Sequence, residues 1–264
     1  MKEAAAKTRQ VVVITGASAG IGAALARVFA AHGHDLVLIA RREARLDALA
    51  DEIAATGRPR PLVLPVDLAQ PDAAGRIKAE LAAHALEPQY IVNNAGFGLV
   101  GEAAQLDQAE QLTMIDLNIR ALTELSLYFV DCLARHRGGI LNVASVAAFL
   151  PGPGMAVYYA SKAYVLSFTE ALHQEWSGRG IRVTALCPGP VPTEFQSRAK
   201  MELPSAAKMI ELPPDRVAQI AYDGLMRGER VVIPGLGNKL AVAAMRLTPH
   251  ALLLRAVDQR TAGA

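Results

Sequence analysis

Val11-Val12-Val13-Ile14-Thr15-Gly16-Ala17-Ser18-Ala19-Gly20-Ile21-Gly22 leads from an apolar run, Val11 to Thr15, into a helical pattern, Ile21 to His32. A short β-branched run closed by glycine reads as a buried strand. The glycine-rich turn TGASAGIG, residues 15 to 22, lets backbone N–H groups approach a diphosphate, and the helix start adds partial positive charge there. No Lys followed by Ser or Thr comes after Gly22, so the turn is not a P-loop. Gly16 to Gly20 also fits GxSxG, the elbow that carries a hydrolase serine. That elbow needs earlier strands and an oxyanion loop upstream, and only residues 1–10 precede this strand, so position argues against a hydrolase.

The same alternation repeats along the chain. Leu36 to Ala40 precedes a helical pattern from Glu43 to Ala55, Leu62 to Val66 precedes Asp72 to His84, and Tyr90 to Asn93 supplies a fourth strand. Asp107 and Glu110, spaced as a capping box, open a long helix to about Arg135. A strand from Gly139 to Ala144, a helix from Met155 to Trp176 and a strand from Ile181 to Leu186 come next. Pro213 and Pro214 open a helix that Gly228 closes, and Arg230 to Pro234 is a short last strand. Repeated βαβ units imply an α/β fold, a single Rossmann-like doubly wound parallel sheet of about seven strands with helices on both faces. A chain of 264 residues suits one such domain, here 11–236, with a solvated lead-in at 1–10 and an extension at 237–264.

The second strand selects the dinucleotide. An acid is expected at its end to bind a ribose 2′-hydroxyl, but the sequence reads Leu38-Ile39-Ala40-Arg41-Arg42, and the first carboxylate, Glu43, opens the next helix. Two guanidinium groups stand where a 2′-phosphate needs them, which favours NADP(H) over NAD(H).

Ser145 falls where the fifth strand ends, PGPG at 151–154 breaks regular structure, and Tyr158 and Lys162 then share one helical face. A free phenol is protonated at neutral pH, and a nearby ammonium favours the phenolate. A drop of about three units requires ~4 kcal/mol, which a partly desolvated Lys beside a bound cationic ring supplies. Tyr158 is therefore a candidate proton donor and acceptor. Alone, the pair also fits an ordinary amphipathic face.

With TGASAGIG, Asn93-Asn94-Ala95-Gly96, Ser145, Tyr158 with Lys162, and Pro188-Gly189-Pro190-Val191-Pro192-Thr193, the chain resembles the short-chain dehydrogenase/reductase family over residues 11–235. The resemblance implies that Tyr158 exchanges a proton with the substrate oxygen, Ser145 hydrogen-bonds that oxygen, and Asn118 anchors a water in a proton relay. Lys162 would hold the nicotinamide ribose and lower the phenol pKa. Gly16, Ser18, Gly20, Ile21 and Gly22 would line the cofactor phosphates, Asp67 the adenine, Asn94 the adjoining ribose region, and Val191 and Thr193 the nicotinamide amide. Without the family, Asp67 also fits a strand-end turn, Asn118 a helix-surface amide and Thr193 an ordinary cap. Ala19 departs from the pattern, because NADP-dependent relatives often carry a basic residue there; phosphate preference then rests on Arg41 and Arg42.

Residues 187–213 show no strand and no long helix, as a lid does. Val191, Phe195, Met201, Leu203, Met209, Ile210 and Leu212 in it, with Phe97, Phe149, Leu150 and Met155, imply an apolar pocket for a hydrophobic ketone, aldehyde or acyl chain, unless they only pack the lid to the body. The tail from Lys239 to Arg260 is basic and amphipathic, and packing in a homo-oligomer is the first expectation, with a membrane surface the alternative. A net charge of +2 with dispersed Lys and Arg gives no nucleic-acid signature. Cys132 and Cys187 lack the spacing of a metal site or disulfide framework. No leader or spanning run is evident, so a cytoplasmic protein is expected. These features point to a metal-free carbonyl reductase that transfers hydride from NADP(H). Alcohol oxidation by the same residues, or a dinucleotide-binding sensor without turnover, are the alternatives.

Overall fold

The structure is a computed structural model, and it describes residues 8–199, 209–249 and 253–254. In chain order the elements are β1 (Arg9–Thr15), α1 (Gly20–Ala31), β2 (Leu36–Ala40), α2 (Glu43–Ala55), β3 (Leu62–Pro65), α3 (Ala73–Ala83) and β4 (Leu86–Asn93). Next come α4 (Gln108–Ile115), a π segment (Asp116–Ala121), α5 (Leu122–Tyr128), α6 (Val130–Arg135), β5 (Gly139–Val143), a 3₁₀ turn (Val146–Phe149) and α7 (Ala156–Trp176). A 3₁₀ turn (Ser177–Arg179), β6 (Arg182–Leu186), α8 (Glu194–Arg198), α9 (Pro214–Met226), β7 (Val231–Val232) and α10 (Leu236–Leu247) complete the order.

All seven strands pair in parallel, in the order β3-β2-β1-β4-β5-β6-β7. Successive side chains of a strand point to opposite faces, and here both faces are apolar. Val12 and Ile14 pack with Leu38, Val92 and Leu141 under α1, α2 and α9; Val11 and Val13 pack with Ile39, Ile91 and Ile140 under α3, α5, α6 and α7. Strand order reverses between β1 and β4, so the crevice of the sheet opens beyond their carboxyl ends, at Gly16 and Asn94.

Besides shifts of a residue or two at several ends, the structure departs from the sequence reading at β1, at β4 and in the helix after Asp107. β1 begins at Arg9, so residues 9–10 of the expected lead-in belong to the sheet, while 1–7 lie outside the described residues. β4 begins at Leu86 rather than Tyr90; Pro88 concealed it. Val11 pairs with Pro88 and Val12 with Tyr90, which leaves Gln89 as a bulge that accommodates the missing proline N–H. The expected long helix is broken by the π segment and again at Phe129, although Asp107 does cap it, accepting from the Glu110 N–H at 2.8 Å. Residues 187–213, read as having no strand and no long helix, hold the short helix α8.

The bulge depends on a glycine. A Cβ on Gly138 would fall onto the Gln89 carbonyl, and that obstacle is backbone rather than a movable side chain. Gly138→Ala is expected to cost more than about 2 kcal/mol, seen as a fall of several degrees in Tm. Gly178→Ala, with nothing within 4 Å of the added carbon, should melt like the parent.

Candidate active site

Ser145 follows β5 and caps the 3₁₀ turn, its Oγ accepting from the Ala147 N–H at 3.1 Å. The chain passes through Gly154, at φ +76°, before α7 begins, and Tyr158 and Lys162 project from successive turns into buried positions. The Ser145 hydroxyl lies beside that of Tyr158, close enough to favour its phenolate, and both line the same cleft. Lys162 Nζ donates to the Val143 carbonyl at 2.8 Å and lies 5.8 Å from the Tyr158 ring centroid. Asn118 sits in the π segment, a form of bulge that recurs at functional sites. Its Oδ1 accepts from the Phe97 N–H at 3.1 Å, and its Nδ2 donates to the Phe97 carbonyl at 3.0 Å and Ser161 Oγ at 3.1 Å. A Cβ on Gly96 would stand 2.9 Å from Asn118 Oδ1 and 3.5 Å from Lys162 Nζ, so only glycine lets these groups gather.

Burial dominates the electrostatics. It pushes Tyr158 up to about 12 against the opposing effect of the Ser145 hydroxyl, and pushes Lys162 down to about 8. The lowering of the phenol pKa expected from Lys162 is therefore absent from the protein on its own: burial of the phenol outweighs it, and Lys162 has itself lost its proton at the pH where such a phenol ionises. Cys187, beside Ser145 and also free, is raised to about 12 by the same burial, which leaves it inert.

The cofactor side is built on the glycine turn. Gly16 and Gly20 have φ of +65° and +57°, and a Cβ on Gly22 would fall onto the Gly16 carbonyl. Asn94 braces that turn: its Nδ2 donates to the Thr15 carbonyl at 2.9 Å and the Gly16 carbonyl at 3.3 Å. This is a positioning contact, whereas the resemblance implied one to ribose. Asp67 Oδ1 accepts from the Ala69 N–H at 3.1 Å, forming a strand-end turn while still lining the cleft. Thr193 caps α8 by accepting from the Phe195 N–H at 3.3 Å. Arg41 is exposed and carries no ion pair among the described residues; Arg42 donates to Ser18 Oγ and Glu194.

One cleft of about 1530 Å³ joins the two sides, from Ser18, Ile21, Arg41 and Asp67 past Gly96 to Ser145, Tyr158 and Lys162. Gly22 and Asn118 lie behind its wall. Val146, Leu150, Met155, Val191, Phe195 and Met245 form the apolar end. Several residues expected there are elsewhere: Phe97 is buried beneath, Phe149 lies under the Arg246 guanidinium, and Met209 is exposed. Ile210 and Leu212 pack the lid against Gly237 and Gly235, and Met201 and Leu203 lie outside the described residues. Met245 was missed because α10 follows the resembling region, yet it folds back over the 3₁₀ turn. Val143 and Ser161 were missed too, as their contacts depend on tertiary placement.

The short chain dehydrogenase family model matches residues 10–203, and the chain belongs to that family. It is 41% identical over 188 residues to sulfoacetaldehyde reductase 2 of Chromohalobacter salexigens, covering 70% of this chain and 74% of that one. A short-chain dehydrogenase from Sphingobium yanoikuyae in complex with NADPH superposes with a TM-score of 0.78 at 35% identity, covering 90% and 93% of the two chains. The bulky-bulky ketone specific alcohol dehydrogenase from Comamonas testosteroni gives 0.73 at 29% identity over 97% and 93%. The chain is thus an oxidoreductase of this family.

Without cofactor, the buried ammonium sets a testable pH dependence. Between about pH 8 and 10.5 the folded chain has lost a Lys162 proton that the unfolded chain still holds, so the stability assignable to this group rises across that window. The unfolding free energy of the parent relative to Lys162→Met, from urea titration, should increase by on the order of 3 kcal/mol across it. A pH-independent difference would contradict a buried ammonium.

Proposed function

We propose that the protein is an NADP(H)-dependent carbonyl reductase for apolar ketones, aldehydes or 3-oxoacyl groups. The observation that carries this reading is the placing of Ser145 and Tyr158 together beside Lys162, at one end of a cleft whose other end holds the glycine turn and Arg41, which has no ion pair among the described residues. The turn fits a dinucleotide: Cβ atoms at Gly16 and Gly22 would collide with the brace, and the bare backbone leaves room for a diphosphate. Arg41 and Arg42 fit a 2′-phosphate, in keeping with the NADPH bound to the Sphingobium relative. When bound, NADPH supplies the hydride.

Tyr158 is the acid. Its phenol is protonated throughout the neutral range and lies beside the Ser145 hydroxyl, which leaves the pair to hold a substrate oxygen. Lys162, anchored by Val143, holds the cofactor ribose, and Asn118 fixes the Phe97 backbone that closes the wall. Reduction suits an acid with a raised pKa; oxidation would require a phenolate.

The apolar lining supports a hydrophobic substrate, as does the bulky-ketone specificity named for the Comamonas relative. The cations among the described lining residues are Arg41, Arg42 and Lys162. Exposed Leu112, Ile115, Leu127 and Tyr164 on α4, α5 and α7 support a homo-oligomer. No helix among the described residues is long and apolar enough to cross a membrane.

A panel of apolar ketones with NADPH tests the reading; cofactor binding without turnover on any of them would favour a sensor. Tyr158→Phe should lower kcat by about 10² to 10⁴ with NADPH affinity kept, while Tyr159→Phe should stay within a few-fold of the parent. Arg41→Asp should raise the NADPH KM about ten-fold or more and leave NADH little affected. Equal losses for both cofactors would remove Arg41 from the 2′-phosphate site.

A further inference from the structure

The start of α8 places three consecutive residues on three separate parts of the site. Thr193 rests on the glycine turn, where a Cβ on Gly20 would stand 3.0 Å from its Cγ2. Glu194 reaches the arginines that follow β2: its Oε2 accepts from Arg42 Nη1 at 2.7 Å, and its Oε1 pairs with Arg45 Nη1 at 3.3 Å. Phe195 covers the proton donor, its ring centroid 5.4 Å from that of Tyr158. Arg42 turns its other edge to the glycine turn, with Nε and Nη2 3.3 and 3.1 Å from Ser18 Oγ.

Ser18, Arg42, Glu194 and Arg45 thus make a continuous polar bridge from the glycine turn to the lid. Arg42 and Glu194 are both about half exposed, so the bridge lies on the outer rim. Ser18, Arg42 and Glu194 all line the cleft that holds Asp67 and Tyr158, so a dinucleotide lying along the strand ends would meet the bridge.

We propose that Glu194 is a cofactor-retaining residue, whose ion pair with Arg42 and Arg45 straps α8 across the bound dinucleotide and keeps Phe195 against Tyr158. The inference rests on the NADP(H) reading of the cleft. Glu194 touches no reacting atom, so its role is positioning. The bridge must part before a bound dinucleotide leaves, and its effect falls on dissociation more than on encounter. Both partners reach solvent, so added salt weakens the strap. NADPH and NADH are retained alike, since the carboxylate acts on the lid rather than on the 2′-phosphate.

Stopped-flow displacement of NADPH and of NADH from the parent, Glu194→Gln and Glu194→Asp tests this, with thermal melts to show that each variant is folded. Glu194→Gln should release both dinucleotides about three- to ten-fold faster, with association changed by less than about two-fold. Glu194→Asp should recover part of the retention, and salt should speed release from the parent more than from Glu194→Gln. Unchanged release from Glu194→Gln would overturn the strap. So would slower release of NADPH alone, which would make Glu194 a competitor of the 2′-phosphate for Arg42. A parent that holds NADH more tightly than NADPH would instead overturn the NADP(H) reading, and the NADH rates would then decide the strap.

Discussion

A cation buried at the end of β5 is the constraint on which the site depends. Lys162 leaves water for a single carbonyl, that of Val143, and such a charge persists only if its surroundings hold it there. Holding it fixes the rotation of α7, and one turn earlier that rotation aims Tyr158 at Ser145. Gly96 and Asn118 complete the enclosure, because a side chain on Gly96 would meet both Asn118 Oδ1 and the ammonium. The same enclosure removes water from the phenol, which raises its pKa and keeps it a proton donor at rest. Burial thus wins over the ammonium in the free protein. A further positive charge would favour the phenolate, and a bound oxidised nicotinamide would supply one.

The sheet brings the two ends of this chemistry together. Reversal of strand order between β1 and β4 opens the crevice, the Asn94 amide ties the loop after β4 to the turn after β1, and β5 carries Ser145 alongside. A buried side-chain ladder reinforces this arrangement. Asn93 Nδ2 donates to Asn142 Oδ1 at 2.9 Å and to Ser126 Oγ at 3.1 Å, and Asn142 Nδ2 donates to Thr169 Oγ1 at 3.0 Å. It pins β4 and β5 to α5 and α7 just below the site, where an apolar core alone would allow more than one rotation of those helices.

Much of this was legible in the letters because it is local. Alternating apolar runs and helical patterns reported the βαβ units, glycines marked the phosphate turn, and the four-residue spacing of Tyr158 and Lys162 placed them on one face. What escaped has a tertiary cause in each case. Pro88 masked the first half of β4, since the bulge that tolerates it exists only against β1. The π segment around Asn118 has no distinctive local composition. The depth of Tyr158 and Lys162 could not be read from spacing, so the burial that raises the phenol pKa in the free protein was not visible there. Glu194 has no local signal at all, because its contact with Arg42 spans 152 residues of sequence.

The central claim, that burial rather than Lys162 sets the Tyr158 pKa until cofactor binds, is open to one direct measurement. An ultraviolet difference titration of the parent against Tyr158→Phe isolates this phenol from the other tyrosines, first without and then with saturating NADP⁺. The phenol should ionise near 12 in the free protein and at distinctly lower pH with NADP⁺ bound. A free-protein phenol that ionises below its ordinary value of 10.0, or one that NADP⁺ leaves unmoved, would contradict the account.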